Sequence, residues 1–116
     1  MKYIYVVIYL IFTLFSHGNE VQKKAWKEIK KGALLVDVRS KKEFDAGHLK
    51  NAILIPYTKV KNNKEIFGND KNRVIVVYCK VGGRAELAKQ TLKSMGYKNI
   101  INAGGYKDML KAENKN

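Results

Sequence analysis

Residues 73–84 read Arg73-Val-Ile-Val-Val-Tyr78-Cys79-Lys80-Val81-Gly82-Gly83-Arg84. The first six are the strongest strand signal in the chain, because β-branched and aromatic side chains fit a pleated, buried surface. A glycine-containing loop follows, expected over Cys79–Gly83. Ala85, Leu87, Ala88, Leu92 and Met95 then mark an amphipathic helix that Gly96 ends. A buried strand, a tight loop and a helix in succession form half of a β–α–β unit.

Working outward, the same alternation recurs on both sides. Upstream, Val21, Ala25, Trp26 and Ile29 fall at helical spacing and Gly32 stops the helix. Ala33–Val38 (ALLVDV) is a short apolar run suited to a buried strand. Ser40 caps a helical turn over Lys41–Ala46, which Gly47 ends. Ala52–Ile55 reads as a second strand closed by Pro56, Lys59–Phe67 as a weak helix, and Gly68-Asn69-Asp70 as a turn. Downstream, Asn99–Asn102 is a last strand, Gly104-Gly105 a turn, and Tyr106–Ala112 a terminal helix. The pattern predicts an α/β domain of three layers, a small and mostly parallel central sheet flanked by helices on both faces. Ligands of such sheets bind beyond the carboxyl ends of the strands, where Cys79 falls.

Ahead of this body, Tyr3–Phe15 is apolar except for Thr13, with Lys2 before it and Ser16-His17-Gly18 after it. At 13 residues the run has the length of a signal-peptide core. A membrane-spanning helix needs about 20 residues. The expectation is a signal peptide over residues 1–18, one domain over residues 19–116, export to a periplasm, and no stable membrane association after cleavage. An exported chain with a single cysteine forms no internal disulfide, so the thiol of Cys79 is either inert and buried or used.

Three effects converge on that sulfur. A helix N-terminus presents unpaired N–H groups and the positive end of its dipole. Gly82 and Gly83 let the loop curl so that more N–H groups turn inward. Lys80 and Arg84 add positive charge. Each favours thiolate over thiol, and the thiolate is the nucleophile. Lys and Arg total 23 against 10 Asp and Glu, a formal net charge of +13. These cations are dispersed along the chain. No basic stripe with interleaved aromatics and no nucleic-acid motif accompanies them, which argues against a nucleic-acid partner. One cysteine and, after cleavage, one histidine make a poor metal site, and no metal or organic cofactor is implied.

The chain resembles the rhodanese family of sulfurtransferases in its single-domain form. The likeness runs from about Lys24 to Met109. Leu35-Val36-Asp37-Val38-Arg39 is similar to the family's first strand and its Asp-Val-Arg signature. Glu43-Phe44, Gly47-His48-Leu49 and Asn51-Ala52 through Ile55-Pro56 match its next elements in order. Val76-Val77-Tyr78-Cys79 with Gly82 and Arg84 resembles its active-site strand and loop, and Gly96-Tyr97 and Gly104-Gly105 its late glycine motifs. Met109 departs from it, standing where the family often has tryptophan.

The resemblance implies a persulfide on Cys79, stabilised by N–H groups of Lys80, Val81, Gly82, Gly83 and Arg84, with Lys80 and Arg84 helping to bind an anionic donor such as thiosulfate. The acceptor would be cyanide, a thiol or a partner protein's sulfur site. It also makes Asp37, Arg39, Glu43 and His48 structural, and Arg39 and Glu43 stand at a spacing that lets them pair across one turn. His48, the conceivable base, is read as a hydrogen-bonded structural residue. Two alternatives stand beside sulfur transfer: a persulfide carrier without turnover, and a cysteine phosphatase or arsenate reductase. The second is disfavoured by the four residues between Cys79 and Arg84, one fewer than related phosphatases have.

Overall fold

The computed structural model describes residues 20–113. The expected signal segment and the expected domain start at Asn19 lie outside the described residues. No helix among the described residues is long and apolar enough to cross a membrane.

The chain opens with a helix over residues 20–30 (α1). It continues through β1 (Leu34–Asp37), α2 (Lys41–Ala46), β2 (Ile53–Leu54), two 3-10 turns (Tyr57–Lys59 and Lys61–Asn63) and α3 (Lys64–Phe67). It then runs through β3 (Val74–Cys79), α4 (Gly83–Ser94), β4 (Asn99–Gly105) and α5 (Tyr106–Glu113). The four strands lie in the order β2-β1-β3-β4, and every pairing is parallel. The expected α/β architecture is the observed one.

β3 shows how a run with no polar residue still defines two faces. Side chains alternate across a strand. Ile75, Val77 and Cys79 pack with Ala85, Ala88 and Leu92 of α4, while Val76 and Tyr78 pack with Trp26 of α1 and Met109 of α5. The alternation therefore turns the cysteine toward α4. Met109 is fully buried, and the Trp26 indole N–H donates to its carbonyl oxygen at 2.8 Å. The last helix is thus packed by a tryptophan from α1.

Some local expectations are corrected. Leu87 is 51% exposed rather than part of the core face, because at 3.6 residues per turn it lies far around α4 from Ala85 and Ala88. The region expected as one helix from Lys59 to Phe67 is broken into 3-10 turns and a four-residue helix, with Asn63 at φ −121° and ψ 36° interrupting it. Cys79 ends β3 instead of opening the loop. Gly104 and Gly105 lie within β4 rather than in a turn. A bulge there pairs Val77 with Asn102 but Cys79 with Gly105.

Candidate functional site

β3 delivers Cys79 to the carboxyl edge of the sheet, and Lys80–Gly82 carry the chain into α4. Gly82 caps that helix at φ 111°, a left-handed conformation that glycine adopts without steric cost. In that geometry the Gly82 N–H donates to the Cys79 sulfur at 2.9 Å and the Ala85 N–H at 3.4 Å. Both are donors that the first turn of a helix leaves without intrahelical partners. The sulfur is buried, with Cys79 1% exposed. N–H groups aimed at one atom stabilise negative charge that develops on it.

The loop is held from three sides. Gly105 is the tightest contact: a Cβ there would stand 2.3 Å from the Lys80 carbonyl oxygen. Any larger residue would push the start of the loop away. Asn102 donates to the Gly82 carbonyl at 3.0 Å and to Glu86 at 3.1 Å, and its own oxygen accepts from the Gly104 N–H at 2.9 Å. The β4 bulge and the cradle are therefore one hydrogen-bonded unit. The third tie is Arg84, which donates to both oxygens of Glu43, at 2.7 and 2.9 Å.

Glu43 is thus not the partner of Arg39, as its spacing suggested. It closes a capping box with Ser40 at the start of α2 and reaches across to α4. Arg39 instead folds back on Asp37, with its Nη2 at 2.7 Å from that carboxylate, and also donates to the Gly47 carbonyl. Its guanidinium lies over the Tyr106 ring at 4.7 Å. The reason is depth: Asp37 is fully buried at the end of β1, and a buried carboxylate takes the nearest bidentate donor. Burial, together with the Asp37 carboxylate, pushes the Tyr78 phenol above its ordinary range, so it stays a neutral partner for the Leu49 N–H.

The sequence-derived site residues are placed as follows. Gly82 contributes the shorter hydrogen bond to sulfur. Gly83 is ordinary helical backbone with open space around it, so no close approach there calls for glycine. Lys80 is exposed, and Val81, 83% exposed, is the tip of the loop. His48 stacks on Phe44, with ring centroids 3.6 Å apart, and its Nδ1 is 2.8 Å from the Phe44 carbonyl. The hydrogen bond expected of it is present. Gly105 and Asn102 escaped sequence reasoning as parts of the cradle. The glycine pair itself was the available signal for Gly105.

The Arg84 guanidinium holds the Glu43 carboxyl down at about 2, against 4.5 for a free side chain, with bonds from Ser40 assisting. The folded state thus binds this proton less readily than the unfolded chain. The resulting stabilisation is complete above about pH 4.5 and is lost as pH falls toward 2. Glu43→Gln is expected to lower thermal stability at neutral pH, with parent and variant converging between pH 4.5 and 2. Melting curves across that range check it, and a pH-independent gap would mean that the Glu43 charge is not what stabilises.

Fold and cradle together define an α/β domain that presents a cysteine sulfur to a helix N-terminus at the carboxyl edge of a parallel sheet. The chain belongs to the rhodanese family: the rhodanese-like domain model matches residues 21–112. The thiosulfate sulfurtransferase PspE of Escherichia coli (strain K12) is 39% identical over 74 residues, which cover 64% of this chain and 71% of that protein. Among solved structures, a rhodanese with anions from E. coli is 38% identical with a TM-score of 0.62, over 66% of this chain and 91% of that one. A human single-domain sulfurtransferase, TSTD1, is 27% identical with a TM-score of 0.67, over 76% of this chain and 90% of that one.

Proposed function

We propose that the protein is a sulfurtransferase that moves sulfane sulfur from thiosulfate, or a similar anionic donor, to a thiophilic acceptor through a persulfide on Cys79. The observation that carries this reading is the pair of N–H donors on the Cys79 sulfur, from Gly82 and Ala85. The likeness to a thiosulfate sulfurtransferase supports it.

In the first half-reaction the Cys79 thiolate attacks the outer sulfur of thiosulfate. The donor's S–S bond breaks and sulfite leaves with the electron pair. The persulfide carries its negative charge on the outer sulfur, beside the loop N–H groups. In the second half-reaction cyanide or a thiolate attacks that sulfur and the Cys79 thiolate is restored. Lys80, exposed at the mouth, draws the anionic donor. Arg84 contributes its charge while anchored by Glu43, so its main service is to hold the cradle. That commitment also argues against a phosphatase, in which a tetrahedral oxyanion would need the guanidinium free. The apolar run over residues 3–15 supports export to the periplasm, with residues 1–18 removed.

Two-step covalent catalysis is expected to give ping-pong kinetics. The assay follows thiocyanate formed from thiosulfate and cyanide, using protein from the periplasmic fraction whose N-terminus is expected near Asn19. Parallel double-reciprocal lines, and one added sulfur atom in the protein's mass after thiosulfate alone, are the expected results. Intersecting lines would remove the persulfide pathway. A persulfide that forms without turnover would make the domain a carrier. An intact N-terminus would remove the export reading.

A further inference from the structure

Gly82 supplies the shorter of the two hydrogen bonds to the Cys79 sulfur, at 2.9 Å. It is also the loop residue least able to hold itself in place. Glycine populates many backbone conformations and has no side chain to anchor. A Cβ at Gly82 would meet the Gly104 Cα only at 3.5 Å, an ordinary van der Waals distance, so packing does not press the residue into position. Val81, directly before it, is the exposed tip of the loop. What fixes Gly82 is its carbonyl. That oxygen accepts from the Glu86 N–H at 2.9 Å and from the Asn102 amide at 3.0 Å, which fills both of its lone pairs. The Glu86 bond belongs to the first turn of α4 and ties Gly82 only to its own helix. The Asn102 bond ties it to β4, and β4 pairs with β3, the strand that carries Cys79. Donor and sulfur are thereby referred to the same sheet.

We propose that Asn102 is a positioning residue of the reaction: by holding the Gly82 carbonyl against β4, its amide keeps the Gly82 N–H aimed at the Cys79 sulfur. An N–H stabilises charge on sulfur only while it points there, because a hydrogen bond weakens steeply as its angle closes. The consequence for turnover rests on the sulfurtransferase reading, whereas the hold on the thiolate does not. Only an amide meets every partner at this place. The Asn102 Oδ1 accepts from the Gly104 N–H at 2.9 Å, and its Nδ2 donates to the Gly82 carbonyl and, at 3.1 Å, to the Glu86 carboxylate. Serine at position 102 can still accept from the Gly104 N–H, since a hydroxyl also bonds the backbone two residues on. It is too short to reach Gly82. Aspartate keeps the size and that acceptor, but sets a carboxylate oxygen against the Gly82 carbonyl and Glu86. Both substitutions keep the local bond in β4 and lose the tether, so they separate holding the bulge from aiming the donor.

The test uses Asn102→Ser and Asn102→Asp with two readouts. The first is the single-turnover rate of persulfide formation from thiosulfate, followed by protein mass across donor concentrations. The second is alkylation of Cys79, the only thiol in the chain, by iodoacetamide at neutral pH. Both are rate constants of the reacting fraction, which partial loss of folded protein does not alter. The rate at saturating thiosulfate is expected to fall about tenfold in Asn102→Ser, the scale of one hydrogen bond to a charged group, and further in Asn102→Asp. The half-saturating thiosulfate concentration is expected to stay within about twofold of the parent's, because Lys80, which draws the donor, is untouched. Alkylation is expected to slow in the same order. Unchanged rate constants in Asn102→Ser, with only a lower melting temperature, would reduce Asn102 to a structural residue and overturn the inference. A rise in half-saturating concentration at an unchanged saturating rate would overturn it equally. If the parent forms no persulfide while the variants are alkylated more slowly than the parent, the sulfurtransferase reading falls and the positioning of the thiolate by Asn102 stands.

Discussion

Cys79→Ser is expected to abolish sulfur transfer while leaving the fold in place. The substitution changes one atom in a buried position. The serine hydroxyl can accept the Gly82 and Ala85 N–H groups that now reach sulfur, so no buried donor is orphaned. Stability is expected to change by about 1 kcal/mol, a melting shift of roughly 4–8 °C for a domain of this size. Chemistry has no such substitute. An alkoxide is not available at neutral pH without a base, and His48 is engaged on Phe44. Cys79 is the only cysteine in the chain, so no second thiol can take over. The checks are thiocyanate production and protein mass after thiosulfate. Any sulfur added to the serine variant, or turnover above that of buffer, would show that the reaction does not run through Cys79.

The second large effect concerns stability. Asp37→Ala is expected to destabilise the domain by about 3–5 kcal/mol, the usual cost of removing one partner from a buried ion pair. The Asp37 carboxylate is fully buried and accepts from the Arg39 backbone N–H at 2.9 Å as well as from its guanidinium. Without it, the Arg39 charge is left between Tyr78 and Tyr106 with only the Gly47 carbonyl as acceptor among its described contacts. A loss of that size is a large part of the about 5–15 kcal/mol that holds a domain together. Thermal unfolding is expected at least about 12 °C lower. Adding Arg39→Met is expected to recover part of the loss, because apolar side chains in place of a buried pair cost little. A single variant within about 1 kcal/mol of the parent, or a double variant worse than the single, would contradict this account. The pair also bears on the site. Asp37 ends β1, the next residue, Val38, donates from its backbone to the Tyr78 carbonyl, and Tyr78 directly precedes Cys79.

The sequence by itself determined the elements on either side of Cys79 and the parallel class of the sheet. Val74–Tyr78 commits to a strand through its β-branched side chains, and a parallel strand buried on both faces has no alternative but to be apolar throughout. Glycine at position 82 marks the left-handed cap of the next helix, because the other residues strain there. These features place Cys79 between the strongest strand and a helix N-terminus without any knowledge of long-range contacts. The Ser40 cap of α2 is likewise local, a hydroxyl that accepts from a backbone N–H three residues on.

Only the tertiary structure decided which groups meet across the sheet. Arg39 and Glu43 lie four apart in sequence, yet each pairs elsewhere, Arg39 with Asp37 beneath it and Glu43 with Arg84, 41 residues away. Local spacing fixes which side chains share a face, but burial fixes which pairing is worth most, and burial is known only once β1 is covered by its neighbours. Leu87 shows the same limit, since its place on α4 is an apolar residue in sequence and solvent in space. Gly105 shows it most sharply. Its glycine reads as a turn, but the chain needs it because the β4 bulge brings it against the carbonyl of Lys80. A register shift between strands is a property of two segments packed together, and neither segment's residues contain it separately.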